Sequence, residues 1–171
     1  MNLLGLFYEW LNQPDKAADA FKSAILALEK LIQRDQQESP VDEDQASSSL
    51  IRKLAYVQGN LGRVLCAIHD FSGSISAYNT ALSLIEQDNS NITTVCKIYS
   101  ILGAGMAYYF NNQLEDSLQM FEKALAETEQ TNIGTDINEV QKDVVVLLSQ
   151  VLWALGGEEQ RNLAKEELFK W

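Results

Sequence analysis

One short pattern occurs three times in this sequence at fixed spacing. A glycine preceded by leucine or alanine is followed by a large residue at +3, a small one at +12, an aromatic ring at +16 and alanine at +19. The copies are Leu4-Gly5, Tyr8, Ala17, Phe21 and Ala24; Leu61-Gly62, Leu65, Ser74, Tyr78 and Ala81; and Ala104-Gly105, Tyr108, Ser117, Phe121 and Ala124. Fixed offsets repeated down a chain mark a repeat architecture, in which each unit is too small to bury its own apolar face and is stabilised by its neighbours. Such a chain is expected to offer a binding or scaffolding surface rather than an active site.

Between the motif residues, apolar positions recur at helical spacing: Ala17, Phe21, Ala24, Ile25 and Leu28 form one stripe. Pro14-Asp15 opens that helix, with proline tolerated in a first turn and the acid favoured by the helix dipole. Further helices are expected over about 46–68, 73–87, 93–110, 114–130, 137–155 and 158–170, with Leu50, Leu54, Leu61 and Leu65 in the core of the first of these. Turns are expected at 69–72, 89–91, 111–113, 131–135 and Gly156-Gly157. Residues 35–49 break the pattern, and their polar, acidic, proline-containing part at 35–45 reads as an exposed linker. The expected fold is an all-α superhelical solenoid of four antiparallel helix hairpins, at about 1–34, 46–88, 92–130 and 137–171. Glycine inside a helix costs about 1 kcal/mol against alanine. Close approach of the partner helix is the expected compensation, with the small +12 residue facing the glycine and Phe21, Tyr78 and Phe121 filling the space between adjacent hairpins.

Charge and motifs exclude several function classes. Thirteen basic residues stand against twenty-four acidic ones, a net charge of -11, which argues against a phosphate backbone as a direct partner. No run approaches the roughly 18 apolar residues of a membrane span, and Met1-Asn2-Leu3-Leu4 does not start a secretory signal. Cys66 and Cys96 lack metal or redox spacing and read as small buried residues of a reducing compartment. The glycosylation pattern Asn91-Ile92-Thr93 is discounted without a secretory signal. His69, the single histidine, has only Asp70 beside it and reads as a surface turn residue. No phosphate loop or H-E-x-x-H motif occurs. Asp42, Glu43 and Asp44 lack calcium-loop spacing. No cofactor, metal or catalytic constellation is expected. Ser39-Pro40 could accept a phosphate, which would add about −2 charge to an already negative linker.

The repeated residues resemble the tetratricopeptide repeat, W-x2-L-G-x2-Y…A-x3-F…A…P. The fourth hairpin departs from it: Leu148-Ser149 replaces Leu-Gly, Leu152 takes the aromatic place, and Ala164 and Leu168 fit with about three extra residues in the turn. Glu29, Glu86 and Glu129 stand at the closing proline, and Gln58 and Ile101 at the tryptophan. The motif glycines are 57 and 43 residues apart, longer than the usual repeat of about 34, which points to a large irregular scaffold. Asn60 to Leu65, Gly105 to Phe110, Asp143 to Gly157 and Ala164 to Phe169 are also similar to the superkiller-complex scaffold family. That resemblance implies a cytoplasmic solenoid that holds an RNA helicase and propeller subunits together in a complex feeding RNA to the exosome.

The repeat family also implies a concave groove lined by first-helix positions one and four after the motif glycine and three and six before it. Here these are Leu6 and Glu9; Tyr56, Gly59, Arg63 and Cys66; Tyr99, Leu102, Met106 and Tyr109; and Asp143, Val146, Gln150 and Trp153. Apart from Arg63 they lack the cations of a carboxylate clamp and form an aromatic, Met-containing stripe. Aromatic anchors are enriched in binding hot spots, so an apolar segment would suit it. A peptide-binding adaptor that takes one linear motif there is the alternative to a scaffold, and packing of the stripe inside the superhelix is the bland reading. Repeat one enters almost at its Leu-Gly, and Phe169-Lys170-Trp171 brings no polar cap, so a fragment of a larger solenoid is expected.

Overall fold

Good helix formers, apolar residues at helical spacing and prolines confined to two positions give one kind of regular structure. The computed structural model describes residues 2–38, 44–87, 94–130 and 134–169, and among these all regular structure is helical. The helices are α1 (Asn2–Trp10), α2 (Pro14–Glu38), α3 (Asp44–Ala67), α4 (Phe71–Gln87), α5 (Thr94–Phe110), α6 (Leu114–Gln130), α7 (Gly134–Leu155) and α8 (Glu158–Phe169). The chain divides into two compact units, Met1–Ser100 and Ile101–Trp171, with the boundary inside α5.

The same device makes the sharp turn inside each hairpin. Seven residues after the motif glycine the backbone enters the left-handed region, at Asn12 (φ 55°), His69 (φ 64°) and Asn112 (φ 60°); in the fourth hairpin, seven after Ser149, Gly156 does so (φ 79°). In the first three turns this residue donates its N–H to the carbonyl three back, and the next residue donates to the carbonyl five back. In the second hairpin these bonds run from His69 to Cys66 at 3.1 Å and from Asp70 to Leu65 at 2.9 Å. This is a Schellman cap, which satisfies carbonyls a helix end would otherwise leave open. Asp70 then caps the following helix, accepting the Gly73 N–H on Oδ1 at 3.0 Å.

In the first unit Phe21, Ala17, Ala24, Val57, Val64 and Leu65 are buried in one core with Leu54 and Leu61. Leu50 is only half-buried. In the second unit Phe121, Ala124, Val144, Val145 and Val151 are buried.

Two expected boundaries are corrected. α2 continues through Glu38 and α3 starts at Asp44, so helix occupies both flanks of the expected linker. Asp35-Gln36-Gln37-Glu38 contains no helix breaker, and a polar stretch of good formers extends a helix that is already nucleated. α7 begins at Gly134, so Gly134 and Thr135 belong to a helix rather than to the expected loop. Ser39-Pro40, Asp42-Glu43, 89–91 with the Asn91-Ile92-Thr93 pattern, 131–133 and Trp171 lie outside the described residues.

Candidate protein-interaction surface

The first helices carry the candidate surface, and the repeated motif fixes how they sit on the second helices. In the second hairpin, Tyr78 packs on the bare Cα of Gly62: a Cβ there would lie 2.8 Å from the ring's Cδ2. In the third, a Cβ on Gly105 would lie 2.7 Å from Cε1 of Phe121. Gly5 meets Phe21 in the same way. The +16 rings thus pack inside each of the first three hairpins, against the motif glycine. The +12 residue adds a polar latch. Ser74 Oγ donates to the Gly62 carbonyl at 2.7 Å and Ser117 Oγ to the Gly105 carbonyl at 2.8 Å, both buried. Ala17 packs without that bond, fully buried.

The fourth hairpin runs the latch the other way. Ser149, at the glycine position, donates to the Val145 carbonyl at 2.8 Å and approaches the Ala164 carbonyl at 3.3 Å, so the hydroxyl is on the first helix and its acceptor on the second. Ala164 is buried.

These locks leave one face of the first helices turned outward. In the first unit Tyr56 and Tyr99 are half exposed, Tyr99 at 57%, while Leu6, Gly59 and Cys66 are partly covered. Arg63 is not a free cation: both its terminal nitrogens reach the Glu9 carboxylate, with Nη2 2.8 Å from Oε2. The sequence marked both residues as groove positions, but it did not pair them. A carboxylate one repeat away is the partner that a planar guanidinium holds best. Nη2 also donates to Oδ1 of the buried Asn60 at 3.3 Å, and the Asn60 Nδ2 has no hydrogen-bond partner.

In the second unit Met106, Val146 and Trp153 are exposed, Trp153 at 53% with the Arg161 guanidinium 5.3 Å from its ring centroid. Asp143 and Gln150 are exposed as well. Tyr109 is half-buried, edge-on to Phe110 at 5.6 Å. Met106, Tyr109 and Gln150 line a small hollow of about 40 Å³ above Phe121. Leu102 is a core residue at 8% exposure and leaves the candidate surface. Of the motif residues, Leu4 is half exposed and Tyr8 and Tyr108 are partly buried.

Titratable groups follow their burial. Desolvation raises the Cys66 and Cys96 thiols, opposed by hydrogen bonds to Ser74 and Ser100. Burial raises the Tyr78 phenol strongly. His69 is an exposed turn residue whose ring meets Phe71 edge-on at 5.6 Å. Among the described residues there is no group of three or more His, Cys, Asp or Glu side chains placed to hold a metal ion, and no helix is long and apolar enough to cross a membrane.

No family model matches the chain. Among solved structures, it is similar to BtubC (BKLC) from P. vanneervenii, with a TM-score of 0.76 and 18% identity over 99% of this chain and 60% of that one. It is also similar to a kinesin-light-chain-like protein of Podospora anserina with nearly identical TPR-like repeats, with a TM-score of 0.54 and 14% identity over 99% of this chain and 90% of that one. The chain is a TPR-like helical repeat protein. Among curated proteins, it is 34% identical over 156 residues to Superkiller protein 3 of Schizosaccharomyces pombe, covering 91% of this chain and 10% of that protein. It is 22% identical over 166 residues to Superkiller protein 3 of Saccharomyces cerevisiae, covering 97% of this chain and again 10% of the relative. This TPR-like chain therefore spans about a tenth of the length of the curated relatives it matches.

Proposed function

We propose that this chain is a non-enzymatic interaction scaffold that acts as part of a superkiller-type TPR subunit in the cytoplasm. Its partners would be folded proteins, a helicase and propeller subunits of an assembly that assists RNA decay by the exosome. The reading is supported by the Superkiller protein 3 likeness along 91% of the chain. It is further supported by first-helix side chains such as Tyr99 and Trp153, which the fold leaves half exposed in each unit. Exposed aromatic side chains held on rigid helices lose little conformational entropy on docking and make good anchors. The net charge of -11 favours proteins over RNA as the direct contact.

Affinity capture from a eukaryotic lysate tests this. Recovery of a helicase or propeller protein, reduced by Trp153→Ala or Tyr109→Ala in chains of unchanged helicity, is the expected result. Loss of helicity in both variants would make those rings structural and remove the surface.

A further inference from the structure

We draw no further inference here: the strongest candidate, the exposed apolar face of α1 that carries Leu3, Phe7 and Trp10, with the rings of Phe7 and Trp10 stacked, is an unpartnered helix face, and nothing in the structure shows what covers it.

Discussion

Tyr78 occupies the space beside Gly62 that a Cβ would need, with its Cδ2 2.8 Å from where that atom would stand. Gly59, three residues earlier in the same helix, has only the Ser100 hydroxyl near, at an ordinary 3.6 Å. The two glycines should therefore respond oppositely to the same change. Gly59→Ala gains helix propensity with room to spare and should stabilise by about 0.5–1 kcal/mol. Gly62→Ala gains the same propensity but displaces a packed ring. It should destabilise by about 1 kcal/mol, and Gly62→Leu by about 3 kcal/mol. Urea unfolding of the three variants measures this, and a Gly62→Leu chain as stable as the parent would show that the hairpin register is wrong.

His69 holds a left-handed backbone at the position where two other hairpins use asparagine and the fourth uses glycine. Its function is conformational: it forms a cap. His69→Gly should be neutral or stabilising by up to about 1 kcal/mol. His69→Val, β-branched, should cost about 1–2 kcal/mol. Thermal unfolding distinguishes the two, and equal melting temperatures would mean the cap carries no strain.

The helices and their pairing partners were legible because glycine, ring and small residue recur at constant offsets, and one physical unit produces all three. The +7 cap was equally present as Asn12, His69, Asn112 and Gly156, but those residues share a backbone conformation rather than a chemical type, so similarity of side chains does not reveal them. Arg63 was legible as a cation on the right face; its engagement by Glu9 was not, because the pair is 54 residues apart and depends on how two hairpins stack. The helical flanks of the acidic stretch were hidden for a different reason. Asp35 to Glu38 bear no apolar stripe, and hydrophobic periodicity says nothing about a helix turn without apolar residues.

The latch hydroxyls should contribute in proportion to the one bond each makes. Ser74→Ala and Ser117→Ala remove a buried donor to a carbonyl that the helix ladder can still satisfy, so each should cost about 0.5–1.5 kcal/mol with no loss of helix content. The first hairpin already runs with Ala17 at this position. A cost near zero would mean that packing alone sets the approach of the helices, and a cost above about 3 kcal/mol would mean that the carbonyl has no other partner.

Tyr78 links the same contact to pH. Burial, the largest cause, raises its phenol above the ordinary value; Cys66 and Glu9 add to the rise and Arg63 opposes it. The folded chain thus keeps the proton that an unfolded tyrosine gives up near pH 10. Stability from this group is complete below about pH 10 and is lost as pH rises toward the raised folded value, by at most about 1.4 kcal/mol per pH unit. Tyr78→Phe removes the ionisable oxygen and keeps the ring on Gly62, so it should change little at pH 8 and lose less stability than the parent at pH 10.5. The raised thiols of Cys66 and Cys96 push in the same direction and remain in both chains, so the difference between the two reports the phenol together with its coupling to Cys66. Parallel losses in urea unfolding at the two pH values would show that Tyr78 reaches solvent well enough to ionise in the folded state.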